Sequence, residues 1–275
     1  MKFKHLIIAF CVLIIFIAAI TILVPLMVSG SQAPVTFNLH YFTIPLLSFM
    51  ALFLICISIY FIINYRLLSL LEKEDWPALA YYLENQIYEK SRYTFRNVRL
   101  LASSYIVISD FKSVLKLESK AQLVKPSVVG KNTLIFGSAR ILDGNHKEAA
   151  VFFKSNQDKC GKKDAEWVRW FSGFSQLLAG SFAAAEEEFS SMAVSSKDAL
   201  ITGLSAYFLS FNLEKKSAAA EKCRHIHETG KDRVIKALKN AAGWKKESDK
   251  AGNEIYIAII KKYIIETGSW IFSKS

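Results

Sequence analysis

Ala183-Ala184-Ala185-Glu186 recurs as Ala218-Ala219-Ala220-Glu221, 35 positions further on. That interval decides the fold, because a fixed period of this size marks a chain built from stacked structural units. Working outward, small residues stand in one phase at Ala102, Gly137, Gly173 and Gly243, and the bulky Phe208 interrupts the series; the five positions are spaced 35, 36, 35 and 35. Polar turns fall between apolar stretches at Glu74-Asp75-Trp76, Ser109-Asp110-Phe111, Asp143-Gly144-Asn145-His146, Gly180-Ser181-Phe182 and Lys215-Lys216-Ser217. On both sides of each turn the apolar residues repeat with the helical period over roughly 12 to 15 residues. The pattern predicts helix–turn–helix units. A small residue in the first helix lets the second pack close, and an aromatic after the turn fills the gap between neighbours.

The charges divide the chain. Residues 1–65 contain no Asp or Glu and only two lysines, Lys2 and Lys4, so residues 66–275 hold all 24 acids, 33 of the 35 basic residues and +9 of the net +11. One soluble globule is excluded; the balance implies a membrane segment followed by a basic domain of about 210 residues, enough for a core. Leu6–Val28 is a 23-residue apolar run in which 16 residues are Leu, Ile, Val or Phe. It is long enough to cross a hydrocarbon layer of roughly 30 Å, and about twice the length of most signal-peptide cores. Phe42–Tyr65 is a second uncharged run that ends against Arg66. The expectation is a hairpin over 1–65 with spans at 6–28 and 42–65 and a short connector at 29–41. Lys2, Lys4, Arg66 and Lys73 flank the spans and no basic residue lies in the connector, which places both termini and the domain at 66–275 in the cytoplasm. Of the four cysteines, none forms a C-x-x-C pair, and Cys11 and Cys56 sit in apolar runs; a reducing compartment fits them, and a disulfide framework or zinc ribbon does not.

Val35-Thr36-Phe37-Asn38 followed by Ile44-Pro45-Leu46 resembles the membrane hairpin of the lipopolysaccharide assembly protein A family. The repeat domain resembles the tetratricopeptide repeat family. That family's pattern is met by Gly173, Gly180, Phe182, Ala185 and Phe189, and again by Gly137, Gly144, Ala149 and Phe153, with His146 in the aromatic place; a first unit has Ala102, Tyr105, Phe111 and Pro126 where the family often ends its repeat. Residues 72–90 look like the second helix of a preceding half unit, and Gly243 starts a fifth unit whose second helix is expected at Glu254–Thr267. The implied fold is all-α: two N-terminal transmembrane helices, then an α-α superhelix.

Such a superhelix lines its inner face with the first helix of each unit. The resemblance places Arg96, Arg99 and Ser103, then Lys131, Leu134 and Ser138, then Trp167, Trp170 and Phe174 on that face: a basic entrance and an aromatic wall, suited to a peptide with acidic and apolar residues. A Trp at helical spacing is more often core than binding site. The places where chaperone-binding members of the family hold a peptide carboxylate are taken by Arg99, Ser103 and Ile135, so that clamp is incomplete. The last helix, Ile255–Ile265, is too apolar for the open end of a solenoid; a final repeat groove, a partner, a second copy or the bilayer surface could cover it.

No phosphate-binding glycine loop, nucleophile elbow or H-E-x-x-H occurs. On a helix Cys223 and His227 share a face while His225 points away, which leaves two ligands where zinc wants four. No enzyme, cofactor or metal is expected. The function expected is a membrane-anchored scaffold or adaptor for a protein or peptide partner at the bacterial inner membrane. The alternatives are a cell-envelope biogenesis factor, in lipopolysaccharide assembly or a haem-pathway-like repeat protein, and an RNA-binding helical solenoid, whose affinity would fall steeply with salt.

Overall fold

The computed structural model describes residues 15, 19, 39–217, 219–252 and 254–273. All regular structure among them is helical. The chain divides into two units, Met1–Leu79 and Ala80–Ser275. Apart from Ile15 and Ala19, both helical, the expected first span at 6–28 and the connector up to residue 38 lie outside the described residues.

In the first unit a single helix, α1 (Leu39–Lys73), runs for 35 residues. It begins three residues before the expected second span and continues two turns beyond Tyr65, because Arg66-Leu67-Leu68-Ser69-Leu70-Leu71 contains no helix breaker. Pro45 lies inside it and withdraws one N–H from the ladder. Over Ile55–Lys73 α1 is long and apolar enough to cross a membrane, and no other helix among the described residues is. Phe49, Leu52, Phe53, Ile55, Ile59, Ile62 and Ile63 are all exposed on it.

Helix α2 (Trp76–Glu84) passes into a π-helical turn at Asn85–Glu89. The second unit then contains α3 (Phe95–Val107), α4 (Phe111–Val124), α5 (Pro126–Lys131), α6 (Thr133–Leu142), α7 (His146–Asn156), α8 (Ala165–Leu178), α9 (Phe182–Ser195), α10 (Ala199–Phe208), α11 (Ala220–Leu238), α12 (Ala241–Ala251) and α13 (Ile255–Phe272). The five polar turns read from the sequence all fall at breaks between helices, and further breaks lie around 90–94, 157–164, 196–198 and 239–240. Side chains at several breaks satisfy the free N–H groups of the next helix: Thr94 accepts from Asn97, Asp110 from Ser113, Asp198 from Leu200 and Ile201, and Asn240 from Gly243. Gly144 and Gly180 follow α6 and α8 at φ +80° and +79°, the left-handed conformation that closes a helix and that only glycine adopts without cost.

The helices pack as antiparallel neighbours, α3 with α4, α6 with α7, α8 with α9 and α10 with α11. Gly137 meets the ring of Phe153, and Gly173 meets Phe189, so the phase of small residues marks where each second helix comes close to its first. The unit around Phe208 solves the same problem differently. Phe208 is buried and stacks on Phe189, with centroids 5.6 Å apart, while the close approach moves to Gly230 of α11 against Ala206 and Ala193. After Phe208 the helix loosens into a π turn at Leu209–Leu213 and a 3-10 turn at Glu214–Lys216.

Pro126 stands just past the end of α4, the second helix of the first unit, and is the first residue of α5, where its missing N–H costs nothing. The last helix, expected at Glu254–Thr267 as the second helix of a fifth unit, starts at Ile255 and runs on to Phe272; it packs on α12, the expected first helix of that unit, and also crosses α6, α10 and α11.

Candidate functional site

The face formed by the first helices, α3, α6, α8 and α10, is the place where the sequence puts a partner. Five of its nine nominated residues are interior. Leu134, Ser138, Trp167, Trp170 and Phe174 are all buried, Trp170 and Ser138 completely. Arg96 and Lys131 are exposed, and Arg99 and Ser103 are half-buried.

Helix α13 covers the aromatic wall. Tyr256 lies 5.9 Å from Trp167 and 5.8 Å from Phe171, Tyr263 lies 5.9 Å from Phe174 and 5.0 Å from Phe208, and Trp270 packs on Tyr207 and Phe211. Arg99 of α3 pairs with Glu254 just before α13. Behind it, the Trp244 indole N–H of α12 donates to the Ile264 carbonyl at 3.0 Å. Tyr256, Ile257, Ile260, Ile264 and Ile271 are buried in the same core cluster as Trp167, Trp170 and Phe174. The inner face is occupied by the chain's own C-terminal segment, and the cover that the apolar last helix needs is that face.

Electrostatics at the rim follow from burial. Asp164 sits near Arg99 and Glu254; burial raises its carboxyl above the ordinary range, and Arg99 opposes the rise. Asp198 is raised for the same first reason, against the two backbone N–H groups that it accepts. Burial pushes the Cys223 thiol up to about 11 and raises that of Cys160, which leaves neither as a thiolate nucleophile at neutral pH. Cys223 and His227 do share the buried face of α11, and His225 is exposed. The sequence reading missed Glu214: it receives Nε and Nη2 of Arg224 at 2.9 and 2.6 Å and faces Nε2 of His227 at 3.1 Å. Only an acid 10 and 13 residues before those partners signals it, across a turn whose geometry the sequence leaves open. Among the described residues no group of three or more His, Cys, Asp or Glu could hold a metal ion.

What remains accessible is the outside. A cleft of about 410 Å³ opens beside Arg140, Val151 and Phe152, with Val151 strongly exposed on α7. A second, of about 370 Å³, opens where the α9–α10 connection meets α11, and its cationic residues are Lys197, Arg233 and Lys236. Arg233 is held from below: its guanidinium donates to the carbonyls of Ala193 and Ser196 at 2.6 and 2.7 Å.

An uncharacterised protein of Treponema pallidum (strain Nichols) is 28% identical to this chain over 235 residues, covering 82% of this chain and 74% of that protein. No solved structure matches. A family described as "Uncharacterised Treponema protein" matches residues 113–273; that range runs from α4 through α13 and so takes in the aromatic core together with the helix that closes it. The chain belongs to this Treponema protein family.

Proposed function

We propose that this protein is a membrane-anchored scaffold at the bacterial inner membrane, whose tetratricopeptide-like domain presents its outer helices to a protein partner in the cytoplasm. The observation that carries the reading is α1. Between Phe49 and Ile63 it exposes Phe49, Leu52, Phe53, Ile55, Ile59, Ile62 and Ile63 with no charged residue among them, more apolar surface than a soluble domain leaves to water. Its 24 residues from Phe42 to Tyr65 span about 36 Å at the helical rise, so the hydrocarbon core is covered and Arg66 reaches the headgroups. The hairpin reading adds a first span at 6–28, and the basic flanks set the cytoplasmic orientation. For the domain, the Gly137–Phe153 and Gly173–Phe189 contacts fit the tetratricopeptide register. With α13 on the inner face, partner contact falls to the outer helices, where Val151 borders a cleft.

Alkaline extraction of membranes holding the full chain tests the anchor: the protein is expected to stay with the bilayer, and release into the supernatant overturns the reading. In-cell crosslinking from a photoreactive residue at Val151, against one at the buried Trp170, tests the scaffold. A defined partner captured at Val151 alone supports it; no difference between the two positions removes it.

A further inference from the structure

Residues 231–246 contain six basic side chains, Lys231, Arg233, Lys236, Lys239, Lys245 and Lys246, against one acid, Asp232. They lie on the end of α11 and the start of α12, which are joined by the tight turn at Lys239-Asn240. Lys236, Lys239, Lys245 and Lys246 are exposed, as is Lys197 across the cleft from Lys236. None of these five lysines pairs with a carboxylate among the described residues. Of the acids around the patch, Asp198 caps α10, Glu166 accepts the Ser196 hydroxyl and Glu247 pairs with Lys250; Asp232 and Asp249 are exposed, and neither forms an ion pair with these lysines among the described residues.

We propose that this face docks on an anionic phospholipid surface, with its exposed lysines against the headgroup layer. The inference rests on the membrane-anchored reading. Four observations choose this occupant. The free cations are lysines, point charges suited to a diffuse anionic layer, whereas specific phosphate recognition favours free arginine forks; the one arginine here is already tied to two carbonyls. The small side chains between the lysines, Ala237, Ala241 and Ala242, leave the face without bulky projections. The patch exposes no aromatic residue on which a nucleic-acid base could stack, since Trp244 is buried. An anchor that holds the domain at the bilayer supplies a high effective concentration, so weak contacts suffice; each lysine brought to an anionic surface multiplies affinity about fivefold.

The test is lysine footprinting with an amine acetylating reagent on the full chain in vesicles. One set is phosphatidylcholine, and in the other a third of it is replaced by phosphatidylglycerol. Acetylation of Lys236, Lys239, Lys245 and Lys246 is expected to slow about fivefold or more with the anionic lipid, to recover at high salt, and to leave the exposed Lys112 and Lys222 unchanged. The paired variant K236E/K239E changes only exposed side chains and should abolish protection at Lys245 and Lys246. Equal rates in both vesicles overturn the proposal. Equal protection by inorganic phosphate in neutral vesicles assigns these lysines to a soluble phosphate and also overturns it, and so does equal protection by RNA. If alkaline extraction frees the chain, the anchor reading falls separately, and the footprint on vesicles added to the protein still decides this one.

Discussion

Gly137 of α6 and Phe153 of α7 occupy each other's space: a Cβ on Gly137 would lie 2.1 Å from Cζ of Phe153. Phe153 has nowhere to retreat, since it is fully buried and stacks on Phe171 at 5.8 Å. Gly137→Ala is therefore expected to destabilise the domain by about 1–3 kcal/mol through overpacking. Gly161→Ala, where a Cβ meets nothing within 4 Å, is expected to be close to neutral. Thermal unfolding followed by far-ultraviolet circular dichroism compares the two, and equal midpoints would refute the packing argument.

Trp244 holds α13 by two means. Its indole N–H satisfies the Ile264 carbonyl, and its ring lies so close to Gly268 that a Cβ there would be 2.5 Å away. Trp244→Phe keeps most of the packing and removes the donor, an expected cost of about 1–2 kcal/mol. Trp244→Ala also opens a cavity and is expected to cost about 3–5 kcal/mol. Limited proteolysis reads the consequence, with cleavage before Ile255 accelerated in the order wild type, Phe, Ala. If all three are cut at one rate, Trp244 does not pin the helix.

The units that follow local rules were legible in the sequence, and the one that depends on distant contacts was not. Gly137, Gly144 and Phe153, like Gly173, Gly180 and Phe189, are set by contacts within one pair of helices, so a fixed spacing carries them. Phe208 breaks that spacing because its partners, Phe189 and Trp170, belong to the neighbouring pair. The excess apolarity of Ile255–Ile265 signalled that the last helix needs cover. What it could not signal is that the cover is Trp167, Phe171 and Phe174, roughly 90 residues earlier in sequence. The same blindness put those aromatics on a partner's surface: an amphipathic stripe is identical whether a ligand or the chain itself fills the groove.

Arg140 is a joint rather than a surface charge. It donates to both carboxylate oxygens of Glu118, at 2.5 and 3.1 Å, and its guanidinium lies 4.1 Å from the ring centroid of Phe152. Both side chains are about 15% exposed, which makes the loss of one partner costly. Arg140→Ala is expected to destabilise by about 2–4 kcal/mol, partly by leaving Glu118 unpaired. Arg140→Lys recovers little, because an ammonium cannot make the two-pronged bond or lie flat on the ring. Denaturant unfolding of R140A, R140K, E118A and the double variant R140A/E118A gives the coupling, and a coupling near zero would show that the pair is incidental.

Asp198 is both the cap of α10 and a buried carboxylate, and the two roles separate by pH. Burial raises its folded-state value above the ordinary 3.8, while the N–H groups of Leu200 and Ile201 pull the other way. The folded protein therefore binds this proton more tightly than the unfolded chain does, and stability falls as pH rises through the interval from about 3.8 up to the raised value. Asn keeps the capping oxygen and cannot ionise. Asp198→Asn should match wild type below that interval, become the more stable form across it, and hold a constant advantage at neutral pH. Asp198→Ala has no such profile; it loses the cap at every pH, about 1 kcal/mol. Unfolding free energies of the three proteins between pH 3 and pH 8 decide the matter. A wild type that remains more stable than the Asn variant at neutral pH would mean that capping by the charged carboxylate outweighs its burial.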